Sequence, residues 1–181
     1  MATYKGISGF NIKSLASDPS NLVEGQIWYN STSQQLKVAP LVESWSSGDD
    51  LNTARRDGGS AGNATAHSNA LYFSGYEPAN SAKSEAYDGS SWSEGPDLST
   101  GRGRARGFGV NTAAVCCAGS APPSQNVTEE YDGTEWTSGG NLNTGRTSAN
   151  AFGTLTAGVT SGGNEQGPAG FTTATEEYDG S

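Results

Sequence analysis

The sequence predicts an all-β chain of short strands joined by tight turns, and three observations carry that prediction. Of its 181 residues, 80 are Gly, Ser, Thr or Asn, a share of turn formers that leaves little for helices. Only 33% are hydrophobic, yet four Trp, seven Tyr and five Phe exceed what a disordered Gly/Ser linker carries. The third observation, an internal repeat, is the strongest.

Three segments align: WSSGDDLNTAR from Trp45, WSEGPDLSTGR from Trp92 and WTSGGNLNTGR from Trp136, with Trp spacings of 47 and 44. Leu51, Leu98 and Leu142 keep one offset, and Arg55, Arg102 and Arg146 another. A second block, EAYDGSSW, EEYDGTEW and EEYDGS, sets Tyr87, Tyr131 and Tyr178 at spacings of 44 and 47. Between the blocks an apolar run ends in a small pair: Ser74-Gly75, Ala118-Gly119 and Gly162-Gly163. From Arg to the second residue of that pair is 20 residues in the first copy and 17 in the others. From there to Tyr is 15 in the third copy and 12 in the others. Insertions of this kind belong in surface connections, not inside strands. Each copy therefore reads as about four short strands in 44 to 47 residues, with copies at about 45–91, 92–135 and 136–181. That period and strand count suit a propeller blade.

A small pair after an apolar strand, a Tyr 12 to 15 residues later, a Trp five beyond it and then L-x-T-x-R resemble the kelch repeat, over about residues 45–181. The resemblance implies a β-propeller whose blades are four-stranded sheets. Two copies depart from it in lacking the first Gly of the pair. Three blades are not expected to close a ring, since propellers have four to eight. After Tyr178 the next Trp would fall at position 183, past Ser181, and Pro40 stands where a Tyr would precede Trp45. A raw β-edge is something soluble proteins avoid. This phase is expected to reflect a longer protein with further blades, in preference to a second copy supplying the edge.

Residues 1–44 differ in kind. They hold three Lys against three acidic residues, so the whole net charge of −9 lies in the repeats. Phe10 and Ile12 alternate before an S-D-P-S turn; a strand follows around Gln26–Tyr29, then a turn at Asn30–Ser33 and a strand at Gln35–Val38. The pattern G-Q-I-W-Y-N-x-x-x-x-x-L-K-V resembles strand–turn–strand elements near the N-termini of bacteriophage tail-fibre and virion appendage proteins. The spelling EEYDGTxWTSGGNLNT resembles virion proteins of marine and cyanobacterial phages. Together they imply a non-enzymatic phage structural protein, a tail fibre or other appendage, located in the virion. Residues 1–44 would anchor it through Phe10, Ile12, Trp28 and Tyr29, and the repeats would project outward. The implied partners are other virion proteins, further copies of the chain and a host-surface glycan. The glycan supports an alternative reading as a carbohydrate-binding host-recognition module acting through propeller loops. About 40 residues bury too little surface to be stable alone, so the segment is expected to fold with a partner.

The charge of −9 argues against nucleic acid or an anionic membrane as partner. No stretch approaches 18 apolar residues, and the start MATYKGISGF lacks the basic and apolar regions of a secretory signal. Trp45, Trp92, Trp136, Tyr87, Tyr131 and Tyr178 recur with the repeat, which favours filling between sheets over a sugar-stacking platform. Arg55, Arg102 and Arg146 recur in step with Glu85, Glu129 and Glu176, which favours carboxylate pairs inside each blade over ligand-binding charges. Arg104 and Arg106 break the repeat and make a local cationic loop, read as solvated or at a subunit contact. Gly101, Gly103 and Gly107 overlap a phosphate-loop spelling, but a β-type run follows them where that loop needs a helix. Cys116 and Cys117 are adjacent in a strand, so one is expected to face inward and one outward. With His67 the single histidine, zinc lacks ligands; neither a metal nor a cofactor is expected. No nucleophile elbow or isolated carboxylate pair stands out for catalysis.

Overall fold

A computed structural model describes residues 12–22, 25–39, 45–63, 67–121, 125–165 and 170–180. Among them the secondary structure is all strand and turn, with no helix. The chain divides into two compact units, Met1–Ser47 and Gly48–Ser181.

The first unit holds a three-stranded sheet: β1 (Lys13–Leu15), β2 (Ile27–Asn30) and β3 (Gln35–Val38). The β2–β3 hairpin lies where the sequence places it. Its turn is closed by Asn30, whose Oδ1 accepts the backbone N–H groups of Thr32 and Ser33 at 3.1 and 2.9 Å. The sequence did not announce β1, which pairs with β2 in parallel, Ser14 opposite Tyr29.

The described residues of the second unit form three larger sheets, each an antiparallel meander, and two two-stranded pairs. The first contains β4 (Gly59–Gly62) and β5 (Ala70–Phe73), then a side hairpin β6 (Tyr76–Glu77) and β7 (Ala79–Asn80), then β8 (Ser84–Tyr87) and β9 (Trp92–Glu94), in the order β4-β5-β8-β9. The second has β10 (Arg106–Val110), β11 (Ala113–Cys117), β12 (Thr128–Tyr131) and β13 (Trp136–Ser138) in sequence order. The third comprises β15 (Asn150–Thr154), β16 (Ala157–Ser161) and β18 (Thr175–Tyr178). The short β14 (Arg146–Thr147) and β17 (Asn164–Glu165) pair beside it. The extra residues of the first copy fall in the 63–69 connection, where the other copies have the two-residue turns 111–112 and 155–156. Part of the third copy's extra stretch lies outside the described residues.

The sheet is offset from the repeat as counted from Trp to Trp. Trp92 pairs with Tyr87, and Trp136 with Tyr131, so each Trp strand closes the sheet of the preceding Tyr instead of opening the next. The tight Y-D-G-x-x-W connection explains this. Asp88 Oδ1 accepts the N–H groups of Ser90 and Ser91, and Asp132 Oδ1 those of Thr134 and Glu135, which folds the chain straight back on itself. Trp45 is fully exposed, at 103%, so it is not a core residue as its place in the repeat suggested.

Two apolar cores lie between the three sheets. The first gathers Ala61, Leu71, Phe73, Leu98, Ala105, Ala114, Cys116 and Tyr131, with Trp136 packed against it. The second gathers Phe108, Val115, Cys117, Ala118 and Leu142, with Ala151 and Tyr178 against it. Cys116 and Cys117 do point to opposite faces, but neither is outward: both faces of the second sheet are covered, so both thiols are buried and free. Burial pushes their pKa values up to about 12 and about 11.

Candidate functional site

Each repeat arginine leaves the connection that precedes its sheet and reaches a glutamate on that sheet's third strand. Arg102 Nη2 donates to Glu129 Oε1 at 2.7 Å, with both side chains sealed from solvent, and Arg102 Nη1 donates to the Val127 carbonyl at 2.8 Å. Arg146 Nη2 donates to Glu176 Oε1, and its Nη1 to the Ala174 carbonyl at 3.0 Å. Arg55 Nη1 lies 3.0 Å from Glu85 Oε1, but its N–H is not aimed at that oxygen; Arg55 Nη2 donates to the Tyr72 carbonyl at 3.3 Å.

The second carboxylate oxygen has a repeated partner of its own. The backbone N–H that follows each repeat leucine donates to it at 2.7 Å: Asn52 to Glu85, Ser99 to Glu129 and Asn143 to Glu176. The L-x-T-x-R segment is thus a lid that ties itself to a buried carboxylate at both ends. A charge in an apolar interior is tolerated when its partner and hydrogen bonds are in place, and all six residues serve that purpose.

The small pair has an equally definite reason. Its residues take positive φ in every copy: Ser74 57° and Gly75 112°, Ala118 62° and Gly119 107°, Gly162 65° and Gly163 99°. The bend lets the second residue's N–H reach the next sheet, Gly75 to the Arg102 carbonyl and Gly119 to the Arg146 carbonyl, each at 2.9 Å. The arginine therefore holds its own sheet with its side chain and the preceding sheet with its backbone.

Of the repeat aromatics, Tyr131 is buried, whereas Tyr87, Tyr178, Trp92 and Trp136 are half-buried. Each Tyr–Trp pair stacks within its sheet, Tyr87 on Trp92 at 5.0 Å and Tyr131 on Trp136 at 5.1 Å between ring centroids. Trp136 also meets Phe73 of the first sheet edge-on at 4.9 Å. The Tyr178 hydroxyl donates to Glu130 of the second sheet. Burial first, and then that hydrogen bond, push its pKa up to about 12.

The N-terminal sheet has two unlike faces. On one, Trp28 is buried and its Nε1 donates to Asp18 Oδ1 at 3.0 Å; Asn30 Nδ2 donates to the same oxygen, and Lys37 pairs with Oδ2. The Lys37 hydrogen bond, then those from Asn30 and Trp28, bring the Asp18 pKa down to about 2. Trp28 therefore organises this unit and offers no surface for anchoring. On the other face stand Ile27 opposite Val38 and Tyr29 opposite Leu36, exposed at 50, 59, 38 and 63%. Ile12 is exposed too, and Phe10 lies outside the described residues. Of the four anchoring residues expected, the structure leaves Ile12 and Tyr29 on the surface. Ile27, Leu36 and Val38 were missed, although their period-two spacing was the available signal.

Between the first and second repeats a hollow of about 430 Å³ is lined by Arg56, Asp57, Tyr76, Asn80, Arg104 and Ser120. Arg56 stacks over the Tyr76 ring at 4.8 Å and pairs with Asp57 at 2.7 Å. Arg104 is exposed, whereas Arg106 is half-buried on β10, so the expected cationic loop is split. Phe171, 89% exposed, lines a neighbouring hollow with Arg104 and Asn164. Among the described residues no group of three His, Cys, Asp or Glu could hold a metal. Among the described residues no helix is long and apolar enough to cross a membrane.

No family model and no curated protein matches the chain. Among solved structures it is similar to that of YjhT, at a TM-score of 0.54 and 12% identity, over 82% of this chain and 47% of YjhT. The chain thus spans about half the length of that structure. At this identity the likeness is one of fold alone.

Proposed function

We propose that the chain is a non-enzymatic structural protein of a bacteriophage virion, a tail fibre or other appendage. Residues 1–44 anchor it to neighbouring virion proteins, and kelch-like propeller blades project outward. The observation that carries this reading is the bare apolar face of Ile27, Tyr29, Leu36 and Val38 on a sheet whose opposite face is already filled by Trp28. Contiguous exposed apolar surface of this kind marks a binding interface. The division of labour fits as well, because the repeat Arg and Glu residues are consumed in holding the sheets together and are not presented to a substrate. Mass spectrometry of purified particles, with a Leu36→Asp/Val38→Asp variant, tests it. The wild-type chain should be present in stoichiometric amount and the variant lost from particles. Absence of the wild-type chain from particles overturns the reading.

A second reading, a module that binds a host-surface glycan through the blade loops, is favoured by the hollow between Arg56, Tyr76 and Arg104 and by exposed Phe171. Polar donors beside an aromatic ring suit a sugar. Binding on a glycan array that disappears in Arg104→Ala or Phe171→Ala would support it. An array with no binding at all would remove it.

A further inference from the structure

Each repeat carries a left-handed residue two positions after its arginine: Asp57, Arg104 and Ser148, with φ of 60°, 56° and 55°. The backbone explains the conformation. The Arg104 N–H donates to the Asp57 carbonyl at 2.7 Å, and the Ser148 N–H to the Arg104 carbonyl at 3.2 Å, so these residues stitch one sheet to the next. Asp visits the left-handed region readily, whereas Arg does so at a cost that glycine would escape. The bend itself needs no side chain. An arginine kept at 104 against that cost points to a use for its guanidinium.

Arg104 lines the hollow between the first and second repeats, whose lining residues all belong to the second unit. Gly103 makes room there. The matching positions carry Arg56 and Thr147, and a Cβ at 103 would come 3.1 Å from Asn80 Oδ1. Asn80 Nδ2 donates to the Ser120 carbonyl at 2.6 Å, which fixes the amide and leaves Oδ1 beside Gly103 as an acceptor. The charges in the hollow do not cancel. Arg56 is paired with Asp57 at 2.7 Å, while no carboxylate among the described residues pairs with Arg104. A chain of net charge −9 thus keeps one unmatched guanidinium in a hollow of small-ligand size.

We propose that this hollow binds a carboxylated saccharide, with the Arg104 guanidinium paired to its carboxylate; this rests on the glycan reading above and names the class of glycan. One unmatched cation suits a singly charged group. A guanidinium fork matches the planar carboxylate with two parallel N–H···O bonds. The Tyr76 ring, under the Arg56 guanidinium at 4.8 Å, gives the sugar ring an apolar wall, and Asn80 Oδ1 accepts a hydroxyl. A neutral sugar of the same shape leaves the Arg104 charge unmatched, so the hollow selects by the carboxylate.

An array of uronate-containing oligosaccharides and their carboxyl-reduced counterparts, probed with the full chain, tests the proposal. The uronates should bind and the reduced sugars should not. In calorimetric titrations of one bound uronate oligosaccharide, Arg104→Gly should weaken binding about 10- to 100-fold, the loss expected of a charged hydrogen-bonded pair. Arg104→Lys, which keeps the charge without the fork, should weaken it less. Because the bend favours glycine, Arg104→Gly should melt no lower than wild type, which separates binding from folding. Equal binding of uronates and reduced sugars overturns the proposal and leaves the glycan reading standing, whereas no binding at all removes both. Uronate binding indifferent to Arg104→Gly also overturns it, and so does a melting temperature that this variant lowers, since Arg104 would then serve the fold.

Discussion

The second and third sheets are spelled alike and buried differently. In the second, Phe108, Val115, Cys116 and Cys117 are sealed because a sheet lies against each face. In the third, Phe152 and Glu177 occupy the same register and stand in solvent. The clamps follow suit: the Glu129 side chain is 1% exposed and that of Glu176 is 15% exposed. A repeat specifies the sheet, and the neighbour decides what each residue is worth. Stacked repeats should therefore lose different amounts of stability from identical substitutions.

The largest expected effect lies in the clamps. Glu129→Ala leaves the Arg102 guanidinium in a sealed interior without its carboxylate, which should cost about 3–5 kcal/mol. Glu176→Ala removes the same partner where water has access and should cost less than half as much, about 1–2 kcal/mol. Urea unfolding of the two variants checks the ratio. Equal losses would break the comparison, because burial would then not be what separates the sheets.

The lid leucines come next. Leu98→Ala and Leu142→Ala empty positions that are 3% and 7% exposed and should each cost about 2–4 kcal/mol. Leu51→Ala should cost about 1 kcal/mol, because the half-buried side chain has little left to lose. Thermal melts of the three variants under one buffer sharpen the comparison into a gradient along the array.

Much of this was legible in the sequence. The recurrence of Arg55, Arg102 and Arg146 in step with Glu85, Glu129 and Glu176 pointed to pairs inside each repeat, and the structure brings those residues together. What escaped the sequence depends on neighbours. Periodicity marked Trp45 as core, but Trp92 and Trp136 are covered through pairing with the Tyr strand before them, and Trp45 stands in solvent. Alternation placed Cys116 and Cys117 on opposite faces, yet could not tell that both faces are interior. Trp28 and Tyr29 looked equally apt for anchoring; the Asp18 carboxylate, ten residues from Trp28, draws the indole to the filled face and leaves Tyr29 bare. Propensity reads a strand, and a side chain's burial belongs to the sheet beside it.

A smaller effect tests the fit between sheets. Gly158→Ala places a methyl 2.3 Å from the Phe108 ring, which can tilt but has the second core around it, so a loss of about 1–2 kcal/mol is expected. Combining it with Phe108→Ala should remove most of that added cost, because the methyl then enters the space the ring vacates. A Gly158→Ala variant as stable as wild type would show that the two sheets are less tightly seated than the geometry implies.

The smallest effect concerns the bend that joins one sheet to the next. Ser74 and Ala118 hold φ of 57° and 62°, a conformation that costs a residue with a Cβ about 1–2 kcal/mol, whereas the third copy already has Gly162 there. Ser74→Gly relieves that strain and removes a buried hydroxyl that has no hydrogen-bond partner among the described residues. Against this stands the extra freedom of glycine in the unfolded chain, about 0.5–1 kcal/mol. The net should be a gain of about 1 kcal/mol. Ala118→Gly relieves the same strain but deletes a fully buried methyl from the second core, worth about 0.8 kcal/mol, so its net should be near zero. The two substitutions share a backbone and differ in what the side chain touches. If they stabilise equally, backbone strain alone governs the bend, and the packing difference between the first and second junctions is without energetic consequence at this position.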